Sequence, residues 1–181
     1  AAAAGGECDD GGAVLVLGAG WVGSRLADSL LTDSVPVVVT NRPGTDMTAK
    51  PPYFRPVDVK CPPGQRLIFD LDDEATWRDL PSPERLRAVV VTFPLRAPLT
   101  DRFWDSYLAR ASNVLCYGTT SVYQVETPGQ TVDETTPLRE TPRALGEAYA
   151  QARGATVLTI SGIFGDQRTP RAICTCLSTY T

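Results

Sequence analysis

The feature that most constrains the fold of this chain is a run with glycine at three spaced positions, Gly18-Ala19-Gly20-Trp21-Val22-Gly23. Before it, residues 13–17 form an apolar, β-branched segment that predicts a strand buried on both faces of a sheet. After it, apolar residues recur at steps of four, which predicts a helix over residues 21–31. A strand that enters a helix through such glycines is typical of a parallel α/β sheet.

Each glycine has a separate physical reason in such a turn. Gly18 permits the tight turn, Gly20 removes the Cβ that would block a diphosphate, and Gly23 lets the helix pack closely on the strand. The helix N-terminus then offers backbone N–H groups to an anion. We therefore expect the loop to bind the diphosphate of NAD(P); the alternative is a glycine-rich turn that binds no ligand.

Strands and helices alternate along the rest of the chain. Further strands are predicted over residues 35–40, 66–69, 88–92, 113–117 and 156–160, with a short edge strand at 57–59. Helices are predicted over 75–80 after the caps Asp72 or Asp73, from the cap Thr100 through Ala111, and from Thr141-Pro142 to Arg153. This alternation demands crossover connections, and so predicts a doubly wound parallel sheet, the Rossmann fold.

The end of the second strand bears on the choice between NAD and NADP. A site selective for NAD usually carries an acid there for the ribose 2′-hydroxyl, whereas this chain has Thr40, Asn41 and Arg42. A guanidinium bond to the 2′-phosphate, worth about 1.5 to 3 kcal/mol, would favour NADP by roughly 10- to 150-fold. NADP is therefore expected, with NAD possible. The alternative is that Arg42 is an exposed turn residue with no role in cofactor binding.

Asp70 follows the third predicted strand. It is predicted either to approach the adenine or to cap a helix.

Composition excludes several classes of function. The net charge of −4, with 17 scattered lysines and arginines, argues against nucleic acid as a partner. No apolar run approaches the roughly 20 residues that cross a bilayer, so no membrane segment is predicted. The absence of histidine excludes Ser-His-Asp and Cys-His catalysis and histidine-containing metal sites, and no metal site is expected. Five dispersed cysteines indicate reduced thiols in an intracellular compartment, with cytoplasm and plastid fitting equally well.

The predicted domain covers residues 13–168. Residues 1–12 are small, acidic and glycine-rich, and are expected to form a disordered leader. Residues 169–181 are expected to form an irregular tail.

Two further motifs give the chain a family resemblance. They are Cys116-Tyr117-Gly118-Thr119-Thr120-Ser121-Val122-Tyr123 and Ile160-Ser161-Gly162-Ile163-Phe164-Gly165. Together with the glycine loop, they resemble the extended or atypical short-chain dehydrogenase/reductases, the NAD-dependent epimerase/dehydratase superfamily. The resemblance implies that Thr92, Phe93 and Pro94 lie at the nicotinamide side of the cofactor. It also implies that Thr119, with Ser121 or Tyr123 nearby, orients an oxygen of a small-molecule substrate.

The chain departs from the family at the Tyr-x-x-x-Lys pair. Alignment of residues 141–147 puts Arg143 at the tyrosine position and Glu147 at the lysine position. These two residues are predicted to form an ion pair across one helical turn. Tyr149 shares a helix face with Leu145, and that face is predicted to be buried. Relatives also continue beyond residue 168 to build a substrate-binding lobe, most of which this chain is expected to lack.

Three functions remain open from the sequence. The first is an NADP-dependent reductase or epimerase-like enzyme of the atypical short-chain dehydrogenase group. The second is a non-catalytic NADP-binding or redox-sensing module, which the missing Tyr-Lys pair favours. The third is a scaffold with an empty site, whose melting temperature millimolar NADPH would not change.

Overall fold

The computed structural model describes residues 12–44, 55–62 and 64–163. The predicted leader, apart from Gly12, and the predicted tail lie outside these residues, as do Phe164 and Gly165 of the second motif. The six strands are β1 (Val14–Leu17), β2 (Val37–Asn41), β3 (Arg66–Ile68), β4 (Ala88–Val91), β5 (Val114–Thr119) and β6 (Thr156–Ile160). The α-helices among the described residues are α1 (Trp21–Thr32), α2 (Leu99–Ser106) and α3 (Pro142–Ala152).

All neighbouring strands pair in parallel, in the order β3-β2-β1-β4-β5-β6. In β1, Val14 pairs with Val37 of β2 on one side and with Ala88 of β4 on the other. The strand order runs outward in both directions from β1 and β4, as in dinucleotide-binding sheets. The predicted doubly wound parallel sheet is therefore confirmed.

The central strands are apolar along their whole length because helices cover both faces of the sheet. Successive side chains of a strand point to opposite faces. Leu15 and Leu17 belong to one buried cluster with Phe103 of α2, whereas Val14 and Val16 belong to a second cluster that includes Ala27 of α1. All four β1 side chains are buried, as the apolar run predicted.

An aromatic group anchors α2 against the sheet. The ring of Phe103 lies 5.1 Å from that of Phe69, 5.0 Å from that of Trp77 and 5.4 Å from that of Tyr107, measured between centroids. The Tyr107 hydroxyl donates a hydrogen bond to the Pro81 carbonyl at 2.6 Å, which satisfies its polar atom inside this apolar region. These contacts pack α2 against Phe69, the residue that follows β3.

Two predicted local features are wrong. The edge strand at 57–59 is absent, since the described residues 55–62 form no strand: the Val57 N–H donates to Ser24 Oγ at 3.0 Å, and Val59 packs on the α1 face of the sheet. Thr100 does not cap its helix, because α2 already begins at Leu99. The Thr100 side chain is buried instead, and its hydroxyl accepts the Arg96 N–H at 2.7 Å.

The predicted short helix at 75–80 is a 3₁₀ helix, Glu74–Asp79. Of its two candidate caps, Asp73 accepts the Ala75 N–H at 3.1 Å, while Asp72 turns toward two arginines. Asp70 is not a helix cap, because its carboxylate accepts the Asp72 N–H and contacts Arg42.

No helix in the described ranges is both long enough and apolar enough to span a bilayer.

Candidate functional site

The glycine loop lies at the carboxyl end of β1, next to the end of β4. Open α/β sheets bind ligands in the crevice at this switch point of the strand order. Gly18 has a φ of 98°, which a side chain would strain, and its N–H donates to Thr40 Oγ1 at 3.0 Å. A Cβ at Gly23 would collide with the Gly18 carbonyl oxygen and approach Thr92 Oγ1 to 2.9 Å. The predicted tight turn at Gly18 and close helix–strand packing at Gly23 are both confirmed.

Gly20 differs from these two glycines because no atom of the described residues outside its immediate chain neighbours stands within 4 Å of the place where its Cβ would be. Its φ of −74° is also ordinary for any residue. Neither packing nor backbone strain therefore requires glycine there. The open space lies directly before the first turn of α1, where no acceptor among the described residues binds the N–H groups of Val22 and Gly23. A turn with this space and these donors fits an anion such as a diphosphate.

Two threonines brace the loop from neighbouring strands. Thr40 is fully buried at β2; besides the bond to Gly18, its carbonyl accepts the Ala19 N–H at 2.7 Å. The Thr92 hydroxyl, after β4, donates to the Gly18 carbonyl at 2.5 Å. The backbone of the loop is thereby held in one conformation. The sequence did not indicate the role of Thr40, because a contact between strands 22 residues apart leaves no local pattern.

A cavity of about 520 Å³ covers the loop. Eleven of the twelve predicted cofactor-binding residues line it: Gly18, Ala19, Gly20, Trp21, Val22, Gly23, Asn41, Arg42, Thr92, Phe93 and Pro94. The twelfth, Asp70, lines an adjoining cavity of about 390 Å³. Both volumes fall in the range of about 300–1,000 Å³ usual for small-molecule sites.

The adjoining cavity, here called the β3 cavity, contains residues that sequence reasoning missed. Phe69 and Leu71 flank Asp70 at the end of β3, and Arg96 enters from the segment after β4. The rings of Phe69 and Phe93 stack at 5.6 Å. Gly18 and Arg42 line both cavities, so the two spaces meet beside the loop. Apolar walls with a few charged groups at the rim suit a planar base attached to a charged sugar.

Arg42 lies at this junction and contacts two carboxylates. Its Nη2 is 2.9 Å from Asp70 Oδ1 and 3.0 Å from Asp72 Oδ2. The Arg42 side chain is nevertheless 56% exposed. Neither the pairing of Arg42 with Asp70 and Asp72 nor the place of Asp72 beside Arg42 was predicted from the sequence.

The predicted substrate-side residues lie at the end of β5. Thr119 ends the strand, and its Oγ1 is 3.2 Å from Ser121 Oγ and accepts the Ser121 N–H at 3.3 Å. Ser121 and Tyr123 line a further cavity, of about 520 Å³, with Arg139 and Glu140. Thr119 and Ser121 are thus adjacent, and Tyr123 lies beyond them on the same edge of the sheet.

The Arg143–Glu147 ion pair is confirmed, with Arg143 Nε 2.8 Å from Glu147 Oε1. The Glu147 carboxylate is buried and its Oε2 accepts the Thr119 N–H at 3.3 Å. A Cβ at Gly118 would lie 2.6 Å from that same oxygen, so glycine there makes room for the carboxylate. The ion pair therefore joins α3 to the end of β5.

The α3 face that carries Leu145 and Tyr149 was predicted to be buried, and this prediction is correct only in part. Tyr149 is half-buried against the core, and Arg153 stacks over its ring at 4.3 Å. Leu145, however, is 55% exposed, because α3 turns its small residues toward the protein. Gly146 allows α3 to lie this close to the segment after β4, because a Cβ there would lie 2.8 Å from the backbone nitrogen of Arg96.

Cys116 lies in β5 close to the site but is not available as a nucleophile. Burial, with a smaller effect from the Glu147 carboxylate, raises the pKa of its thiol to about 12. Since the thiolate is the reactive form, Cys116 stays inert near neutral pH.

Truncating Arg143 should destabilise the fold. The Arg143→Ala variant leaves the buried Glu147 carboxylate with only the Thr119 N–H, and fully buried pairs cost about 3–5 kcal/mol when broken this way. Because Arg143 is 34% exposed, we expect a smaller loss, about 1–2 kcal/mol, in urea unfolding. Arg143→Ala/Glu147→Ala should lose less than the sum of the single variants; strict additivity would contradict the coupling.

A larger cleft, of about 760 Å³, lies between the Glu74–Asp79 helix and α2. Trp77, Arg102 and Tyr107 are among its lining residues. None of the predicted site residues lines it, and it is not at the carboxyl edge of the sheet. Its size alone does not make it the site.

Comparison with solved structures places the fold among known proteins. A candidate NAD-dependent epimerase/dehydratase from Methylobacillus flagellatus matches with a TM-score of 0.60 and 21% identity over 94% of this chain and 61% of its own. A candidate epimerase from Burkholderia cenocepacia matches with a TM-score of 0.63 and 21% identity over 91% and 59%. UDP-glucuronic acid 4-epimerase from Bacillus cereus, solved with NAD, matches with a TM-score of 0.54 and 16% identity over 92% and 63%.

The predicted likeness to the epimerase/dehydratase fold is confirmed. It extends over nearly the whole of this chain, which spans about six-tenths of the length of these structures. No protein-family model and no curated protein matches the chain.

Proposed function

We propose that this chain binds a nicotinamide dinucleotide at the glycine loop, with NADP preferred. The observation that carries the proposal is the open space at Gly20 before the N–H groups of Val22 and Gly23, which no acceptor in the described ranges binds. Glycine is not needed there for packing or backbone conformation, so an anion that approaches the backbone gives it a reason. The dipole of α1 favours negative charge at the same point.

The preference for NADP is supported by Arg42. The guanidinium follows directly on β2, where an acid would favour NAD, and lines both cavities that meet at the loop. It can form charge-assisted bonds to a 2′-phosphate. The adenine would occupy the β3 cavity, against Phe69 and within reach of Asp70.

An NADP-dependent reductase or epimerase-like activity follows as the first candidate. A bound nicotinamide supplies hydride transfer. The chain's own contribution would be to hold the ring near Thr92, Phe93 and Pro94 and to orient a substrate oxygen with the Thr119 hydroxyl, with Ser121 or Tyr123 nearby. The Arg143 guanidinium, paired with Glu147, would act there only as a fixed positive charge.

A non-catalytic NADP-binding or redox-sensing module is the second candidate. It is favoured by the Arg143–Glu147 ion pair, which takes the two positions that the resemblance assigns to tyrosine and lysine. The pair links helix to strand and so has a structural reason to exist without catalysis.

Calorimetric titration with NADP and NAD, side by side, tests binding. Arg42→Ala should weaken NADP binding about 10-fold or more while NAD binding changes little, since a bond to a charged group is worth about 1.5–3 kcal/mol. Arg78→Ala, an exposed arginine on the Glu74–Asp79 helix, is the matched control and should leave both affinities unchanged. Equal losses for NADP and NAD in Arg42→Ala would refute the 2′-phosphate role.

Turnover separates the two candidates. Oxidation of NADPH by aldehydes, or redox-neutral conversion of a sugar nucleotide into its epimer with bound NADP, supports the enzyme if it is lost in Thr119→Val with cofactor binding retained. Tight NADPH binding with no turnover across these substrates supports the module. An unchanged melting temperature with millimolar NADPH would contradict both.

A further inference from the structure

Two arginines from distant parts of the chain converge on one carboxylate. Asp72 Oδ2 lies 3.0 Å from Arg42 Nη2, and the Arg96 Nη2 lies 3.1 Å from Asp72 Oδ1 and 3.0 Å from Oδ2. Arg42 follows β2, Asp72 follows β3 and Arg96 follows β4. Segments that follow three strands of the sheet thus contribute to a single anion position with two guanidinium groups around it.

This anion position lies at the rim of the β3 cavity. Arg42 and Arg96 both line that cavity, and Arg42 also lines the cavity over the glycine loop. An anion held between the two guanidinium groups would therefore be attached to a ligand that spans both spaces. In a dinucleotide whose base occupies the β3 cavity and whose diphosphate lies on the loop, the part in between is the adenosine ribose.

We propose that Asp72 occupies the position of the ribose 2′-phosphate and competes with it for Arg42 and Arg96, so that Asp72 sets the preference between NADP and NAD. The inference rests on the proposed function and adds two residues to it. Arg96 becomes the second guanidinium of the phosphate site, and Asp72 becomes its internal competitor.

The competition is physically reasonable because the Asp72 contacts are easy to break. The side chains of Arg42, Asp72 and Arg96 are 56%, 47% and 45% exposed, and exposed ion pairs are weak. A phosphate carries more charge than a carboxylate and can accept bonds from both guanidinium groups at once. Asp72 can then turn to solvent when NADP binds.

Asp70 has a different place in this arrangement. Its side chain is only 17% exposed, and its carboxylate is tied to the Asp72 N–H at 3.1 Å as well as to Arg42. Asp70 therefore stays in position and orients Arg42, while Asp72 is the carboxylate free to leave. NAD lacks the 2′-phosphate and leaves the Asp72 contacts intact.

Titration of Asp72→Asn with NADP and NAD tests the proposal. Removing the competing charge should tighten NADP binding by about 3- to 10-fold, as expected for loss of a weak exposed pair, and change NAD binding less than about 2-fold. Asp79→Asn is the matched control: it removes the same charge from an exposed position on the neighbouring 3₁₀ helix and should not alter the ratio of the two affinities.

Arg96→Ala tests the second guanidinium. It should weaken NADP binding several-fold in both the parent and the Asp72→Asn background, with NAD little changed. Unchanged NADP affinity in Asp72→Asn, or equal effects on the two dinucleotides, would overturn the proposal while leaving dinucleotide binding by the parent intact. A parent chain that binds neither dinucleotide would instead overturn the proposed function, and this inference with it.

Discussion

Gly20→Val is expected to abolish dinucleotide binding while the protein stays folded. The valine side chain would fill the open space before α1 and keep a diphosphate from the N–H groups of Val22 and Gly23. Loss of two hydrogen bonds to a charged group, each worth about 1.5–3 kcal/mol, predicts at least a 100-fold weaker affinity for NADP and NAD alike. Calorimetric titration measures this loss.

The fold of the Gly20→Val variant should tolerate the substitution. In the part of the chain that the structure describes, no atom beyond the neighbouring residues lies within 4 Å of the new Cβ, and the φ of −74° suits valine. Only the poorer helix N-cap should cost stability, about 1 kcal/mol or less in urea unfolding. If the folded variant bound either dinucleotide as tightly as the parent, the diphosphate could not lie on the Gly20 backbone, and the proposed function would be wrong.

Gly23→Ala is expected to have the opposite effect, a large loss of stability. The alanine Cβ would collide with the Gly18 carbonyl and crowd the Thr92 hydroxyl. The backbone cannot easily move away, because Gly18 has a positive φ and its N–H is hydrogen-bonded to Thr40. Overpacking of this kind costs about 1–3 kcal/mol and more where backbone blocks the way. We expect a net loss of about 2 kcal/mol or more in the free energy of unfolding.

The matched control is Gly20→Ala, the same chemical change three residues earlier, which should leave stability nearly unchanged. Alanine is favoured over glycine inside a helix by about 1 kcal/mol, so propensity alone predicts that Gly23→Ala is stabilising. A rise in the unfolding midpoint of Gly23→Ala would therefore show that α1 and β1 are not in close contact at Gly23.

The order of strands and helices was predictable because each element carries its own pattern. The apolar segment at Val14–Leu17, the glycine turn and the amphipathic α1 are all local in sequence. Alternation of such elements restricts the sheet to parallel pairing. The errors fell where local pattern was weak: residues 57–59 have strand-like composition but pack on α1, and Thr100 resembles a cap but is buried inside α2.

The grouping of the candidate site residues was also predictable from the sequence. Its glycine loop and the residues after β2 and β4 share one cavity because parallel strands all end at one edge of the sheet. The exposure of Leu145 was not predictable, since an apolar side chain reveals nothing about what covers it.

By itself, the sequence determined that this chain forms a doubly wound sheet with a glycine turn after its first strand, because backbone conformation and side-chain periodicity act over a few residues. Only the tertiary structure decided which charges meet at that turn. Asp72 lies 30 residues from Arg42 and 24 from Arg96 along the chain, and their convergence depends on how the ends of β2, β3 and β4 are placed in the sheet. Contacts of that kind arise from packing between elements, which no spacing within one element records.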